Sequence, residues 1–243
     1  MKMLTAAAFA AALSFGAHAH AANLIMNGSF EDPTFSDGSE VLGSTDDRDG
    51  VQSVSDLLVS TGGGSGSWEV FDALPDWAVA PGSVSGQLGS GIELQTKGTL
   101  GLTPQDGKVY VELDSHPRPG SNTRMEQIIE DLPAGTYEFS FWFAPRTGNE
   151  TTDGIMYGVM PGLTMKTVTG AGDPKKVWQK VTHVFYLDAP GDVTVFFEAG
   201  GTEDTLGGFI DDVSLEAVPL PGAAAFLLTG LAGFGAARRR RAA

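Results

Sequence analysis

The chain has 243 residues, 30 of them Asp or Glu against 15 Lys or Arg, for a formal net charge of −15. All 30 acids lie between positions 23 and 217, where only 10 basic residues oppose them, so this stretch carries −20 and argues against nucleic acid, anionic lipid surfaces and free polyanionic polysaccharide as unaided partners. Cys is absent and Gly numbers 33, which excludes a disulfide-stapled fold and favours an all-β domain rich in turns.

In chain order, Lys2 is followed by an apolar segment from Leu4 to Phe15 and by two small-residue cleavage patterns, Ala17-His18-Ala19 and Ala19-His20-Ala21. This is the pattern of a secretory signal peptide over residues 1–22; its apolar part is too short to span a membrane. His18 and His20 are then lost with the leader. The span 23–217 that remains, about 195 residues, suits one domain with a sizeable core.

The mature chain opens on Asn23 to Glu31, where Leu24, Ile25 and Met26 suit a buried first strand and Asn27-Gly28 a turn. Residues 34–67 are rich in Gly, Ser and Asp and read as an insertion loop, with one apolar element at Val51 to Val59. Strand candidates follow at Trp68–Phe71, Trp77–Val79, Gly91–Gln95, Lys108–Leu113, Arg124–Ile129, Thr136–Ala144, Gly154–Met160, Leu163–Val168, Val177–Leu187, Asp192–Ala199 and Gly208–Leu215. Alternation is clean where Tyr137, Phe139, Phe141 and Phe143 share one face and Glu138, Ser140 and Trp142 the other, as in half-buried antiparallel strands. About ten such strands predict a jelly-roll β-sandwich.

Several segments carry a resemblance. Asn27-Gly28-Ser29-Phe30-Glu31 and the closing Phe209 to Leu215 are similar to the first and last strands of jelly-roll carbohydrate-binding modules of the galactose-binding-domain-like group, including the plant domain-of-unknown-function 642 proteins. Leu74-Pro75-Asp76-Trp77, Gly91 to Gln95, Asp106 to Ser115 and Ala134 to Phe141 resemble the surface-protein versions of that domain that precede PEP-CTERM tails. The resemblance implies a structural Ca²⁺ where the first and last strands meet, with Glu31, Asp211 and the backbone of Ser29 as ligands. Alternation along the closing strand also puts Asp211 on the apolar face with Phe209, Val213 and Leu215. An inward carboxylate needs a partner, which a calcium ion, a salt bridge or a cap would each supply. The acidic run Thr45 to Gly50, continuing to Asp56, matches an EF-hand loop only in part and reads as a solvated loop.

No Gly-x-Ser-x-Gly, His-Glu-x-x-His or nucleophilic Cys is present, and Pro117 interrupts the acidic strand pattern of laminarinase-like jelly rolls, so an enzyme is not expected. His183 sits in the register of Val181, Phe185 and Leu187 and reads as a half-buried strand residue. Sugar recognition needs aromatic faces and a few fixed polar groups. Trp68, Trp77, Trp142, Trp178, Tyr110 and Tyr157 are the aromatic candidates, with two or more of the four Trp expected in the core. Trp142 is the foremost candidate, with Trp77 at its rim and Glu93, Gln95, Glu112, Asp114 and Arg146 lining the same surface.

The chain ends on Val218, Pro219, Leu220 and Pro221, an uncharged apolar run from Gly222 to Ala237, and Arg238, Arg239, Arg240 and Arg241. About 20 residues of this kind suffice to cross a bilayer as a helix, and the arginines hold their end in the cytoplasm. Residues 218–243 closely resemble the VPLPA variant of the PEP-CTERM sorting signals, with Gly222 where that pattern has Ala. The resemblance implies a membrane-anchored intermediate, cut by an exosortase-type protease and passed to the cell surface or extracellular matrix. The function expected is non-catalytic binding of extracellular polysaccharide; an adhesion protein that binds other surface proteins is the alternative, and a glycoside hydrolase a third.

Overall fold

Along Gly135–Ala144 the side chains of Tyr137, Phe139, Phe141 and Phe143 are buried, while Glu138 on the other face is exposed. One apolar face on a strand requires a second layer to cover it. The computed structural model, which describes residues 21–43, 53–59, 66–83, 85–116 and 120–219, shows that layer. A short helix, α1 (Val54–Val59), precedes the strands. These are β1 (Trp68–Phe71), β2 (Ala73–Leu74), β3 (Trp77–Ala80), β4 (Ile92–Thr96), β5 (Val109–Glu112), β6 (Arg124–Leu132), β7 (Gly135–Ala144), β8 (Ile155–Met160), β9 (Leu163–Val168), β10 (Gln179–Leu187), β11 (Gly191–Ala199) and β12 (Phe209–Ala217). They form two antiparallel sheets, ordered β1-β4-β5-β12-β7-β10 and β2-β3-β6-β11-β8-β9. The fold is an all-β sandwich.

The aromatic core joins the sheets. Phe141 of β7 meets Tyr157 of β8 at 4.8 Å and Phe197 of β11 at 4.9 Å between ring centroids. The Tyr157 hydroxyl lies 2.8 Å from His183 Nε2, and burial lowers the His183 pKa, in keeping with its half-buried strand position. Within the expected insertion, α1 buries Val54 and Leu57, and Ser53 forms a β-bridge with Leu42.

Two expectations are corrected. Leu24, Ile25 and Met26 form no strand: only Ile25 is buried, and Met26 is 60% exposed. The Gln127 side chain bonds both backbone groups of Met26, and Asn23 Oδ1 accepts from Ile25 and Leu215. Side chains thus take the groups a ladder would need. Asn27 (φ 47°) and Phe30 (φ 62°) then turn the chain in the left-handed region.

The second correction lies in β12. Its register against β7 shifts between Asp211 and Ser214, and Asp212 has φ 48°. This bulge reverses the side-chain parity. Val213 and Leu215 enter the core, whereas Asp211 pairs with Trp142 on the outer face of the first sheet.

The leader up to His20, the acidic positions 44–52, and the tail from Leu220 through Pro221 to Arg238, Arg239, Arg240 and Arg241 lie outside the described residues. Among the described residues no helix is long and apolar enough to cross a membrane.

Candidate binding face on the first sheet

Strand register assembles the outer face. Trp68 of β1 pairs with Gln95 of β4, and Gln95 with Tyr110 of β5. Across the sheet, Asp211 of β12 pairs with Trp142 of β7, and Trp142 with Lys180 of β10. A neighbouring row runs Val70, Glu93, Glu112, Phe209 and Ala144. Paired residues in antiparallel strands point the same way, so Glu93, Gln95, Glu112 and Trp142 share this face.

The polar members form a sealed network. Gln95 Nε2 donates to Glu93 Oε1 at 2.8 Å and to Glu112 Oε2 at 2.5 Å. Arg146 Nη1 donates to Glu112 Oε1 at 2.5 Å and to the Thr205 carbonyl at 2.8 Å. His116 Nδ1 lies 3.1 Å from Glu93 Oε2, its ring against Trp68. The Tyr110 hydroxyl lies 2.9 Å from Gln95 Oε1 and 3.0 Å from the Thr99 carbonyl. Burial pushes the Glu112 carboxyl well above the usual carboxylate range; the Glu93 charge adds to this and the Arg146 guanidinium opposes it.

A loop after β4 covers the middle of the face. Leu102 packs with Tyr110, Ala144, Phe209 and Trp178, and Trp178 Nε1 donates to the Thr103 carbonyl at 2.7 Å. The amides of Gln105 and Asp106 donate to Asp211 Oδ2. Glu93, Gln95, Glu112 and Asp114 are buried rather than presented to solvent, Asp114 beneath the loop that carries Asp204 and Leu206. They brace the face from beneath.

Among the aromatic candidates, Trp77 is corrected. It is 1% exposed, wedged between Phe30 and Phe197 with its Nε1 bonded to the Asn27 carbonyl, and it rims no surface. It is also the one Trp fully buried, against the expected two or more; Trp68, Trp142 and Trp178 are half-buried, as is Arg146. Sequence alternation singled out Trp142 but gave Trp68, Trp178 and Lys180 no place beside it, because cross-strand register is not written in a single strand.

The two carboxylates expected to hold calcium grip the same loop. Glu31 Oε1 accepts from the amides of Lys108 (2.5 Å) and Val109 (2.9 Å), while Asp211 accepts from Gln105, Asp106 and Asp212. None of the described ion pairs reaches either one. Glu31 Oε2 accepts no described hydrogen bond, and Asp211 Oδ1 accepts only one. Unused lone pairs on these two carboxylates are what a hard cation would take; among the described residues no group of three or more His, Cys, Asp or Glu is gathered to hold a metal.

No family model and no curated protein sequence matches the chain. Solved structures do. A Stig cyclase from Fischerella sp. TAU, in complex with (3Z)-3-(1-methyl-2-pyrrolidinylidene)-3H-indole, is 15% identical with a TM-score of 0.50, over 83% of this chain and 100% of that one. The carbohydrate-binding module TmCBM61, in complex with β-1,4-galactotriose, is 19% identical with a TM-score of 0.39, over 81% and 99%. A family 35 carbohydrate-binding module from Clostridium thermocellum is 13% identical with a TM-score of 0.34, over 59% and 89%. The likeness to the cyclase is one of fold alone.

Proposed function

We propose that this chain is an exported protein of the cell surface or extracellular matrix whose sandwich binds extracellular polysaccharide without transforming it. The observation that carries this is the set of three half-exposed indoles, Trp68, Trp142 and Trp178, on one sheet face. Sugar rings stack their C–H faces on such surfaces, and rigid polar groups beneath hold the aromatics in place. The charge of −20 over residues 23–217 restricts the ligand to a neutral or cation-bridged chain.

Affinity electrophoresis against a panel of bacterial and algal glycans tests this. Trp142→Ala should weaken binding several-fold with the melting temperature nearly unchanged. If the wild type is retarded by no glycan, with or without calcium, the adhesion alternative takes its place.

The proposal includes a structural calcium at Glu31 and Asp211. A ligand that binds only the folded state adds about 2.7 kcal/mol at a hundredfold excess over Kd. EDTA should therefore lower the melting temperature, and should lower that of Glu31→Ala by less. It also includes a membrane-anchored intermediate cut near Val218 to Pro221 by an exosortase-type protease. Mass spectrometry of the surface form checks this: Arg238 to Arg241 on the mature species would refute it.

A further inference from the structure

Among the described residues, three buried side-chain polar atoms have no hydrogen-bond partner: Asp114 Oδ1, Ser121 Oγ and Asn122 Oδ1. They are neighbours. Asp114 and Asn122 face one another across an isolated antiparallel bridge just beyond β5, and Ser121 adjoins Asn122. Asp114 is 1% exposed and Ser121 0%. The Ser121 hydroxyl stands near enough to lower the Asp114 pKa, yet Oγ and Oδ1 close no well-formed hydrogen bond. Asn122 is oriented by its own amide, whose Nδ2 donates to the Gly201 carbonyl at 2.8 Å, leaving Oδ1 as a pure acceptor.

A second carboxylate joins them. The Leu206 amide is shared between Asp114 Oδ2 at 3.0 Å and Asp204 Oδ1 at 3.2 Å, and the Asp204 amide also donates to Asp114 Oδ2. Two carboxylates on one N–H repel each other, the more so where one is buried. No positive side chain answers them among the described ion pairs: Arg146 is engaged by Glu112, and His116 by Glu93. Burial raises the Asp114 pKa, as expected of a carboxylate without a counter-charge. The loop approaches closely enough that a Cβ on Gly207 would stand 2.8 Å from Asp114 Cβ.

We propose that Asp114, Asp204, Asn122 and Ser121 hold a divalent cation of the calcium class, which fastens the loop around residues 201–206 to the end of β5. Every donor is an oxygen, and carboxylate, amide and hydroxyl oxygens in an adaptable loop select a hard cation of large coordination number. A water molecule could bond the same three unpartnered atoms but would bring no charge to the two carboxylates. This site is separate from the pair Glu31 and Asp211 and rests on different residues.

Isothermal titration of the full chain with CaCl2, in mild detergent after EDTA treatment, tests the proposal. Asp204→Asn and Asn122→Ala alter half-buried positions, and circular dichroism checks that each still folds. Each should weaken one calcium-binding event by roughly tenfold or more, equivalent to about 1.4 kcal/mol. Glu31→Ala should leave that event in place, so failure of the Glu31 and Asp211 site is scored separately. Calcium binding unaltered in both Asp204→Asn and Asn122→Ala overturns the proposal and assigns the pocket to water. Absence of any event beyond the one that Glu31→Ala removes overturns it equally.

Discussion

Glu93 and Glu112 face each other across β4 and β5, and a single side-chain amide, Gln95 Nε2, donates to both. The guanidinium of Arg146 is the cation bound to Glu112, whose side chain is wholly buried. Arg146→Ala leaves that charge without its partner, and the expected loss of stability is about 3 kcal/mol. Urea unfolding measures it. Adding Glu112→Gln to Arg146→Ala should recover most of the loss, because the uncompensated charge is then gone. An Arg146→Ala domain as stable as wild type would show that Glu112 is held neutral.

The buried Asp211 carboxyl is pushed up from 3.8 to about 7, chiefly by burial, against the lowering effect of the amides of Asp106, Asp212 and Gln105. The folded state therefore holds this proton more tightly than the unfolded state. Stability should fall as pH rises between roughly 4 and 7 and then level off, by a few kcal/mol at most at 1.36 kcal/mol per unit. In EDTA, the difference in unfolding free energy between wild type and Asp211→Asn should show this slope. Saturating calcium favours the anion, and should flatten or reverse it if the ion binds there.

Trp77 and Trp142 are predicted to behave oppositely. Trp77→Ala empties a site enclosed by Phe30 and Phe197 and should cost about 3–5 kcal/mol. Thermal unfolding of the two variants side by side is the check. Comparable losses for both would mean that Trp142 is a core residue and no binding platform.

Gly28 is required by close approach. A Cβ there would stand 2.2 Å from the Val213 carbonyl oxygen, while Val213 N–H donates to the Gly28 carbonyl at 2.9 Å. The obstacle is backbone within β12 and cannot rotate away. Gly28→Ala should cost about 1–3 kcal/mol, read from the urea midpoint, and should speed hydrogen exchange at the Val213 amide.

Much of the sandwich is legible in the chain because alternation is a local property. Tyr137, Phe139, Phe141 and Phe143 mark β7 without reference to any other strand, and Leu163–Val168 and Trp68–Phe71 begin and end where their residues suggest. The same local rule fails where the backbone departs from it. Period two places Asp211 with Val213, but the bulge at Asp212 sets them on opposite faces. Leu24 to Met26 is apolar enough for a strand, yet the side chains of Asn23 and Gln127, the latter about a hundred residues away, occupy its backbone groups.

For the candidate site the division is similar. Alternation alone puts Trp142 opposite the phenylalanines, and residue type alone marks Glu93, Gln95 and Glu112 as polar groups on strands. Which of them meets solvent is not a local property. The loop carrying Leu102 and Thr103 lies over the face and turns surface carboxylates into a buried network, while Phe30 and Phe197, far apart in the chain, enclose Trp77. Side-chain direction follows from the pleat of one strand, so the sequence by itself determined the acidic charge of the domain and, wherever the backbone keeps its regular pleat, the strands and their apolar faces. Burial, counter-charge and hydrogen-bond partnership need atoms from distant segments, so only the tertiary structure decided which carboxylates are sealed and which aromatics face outward.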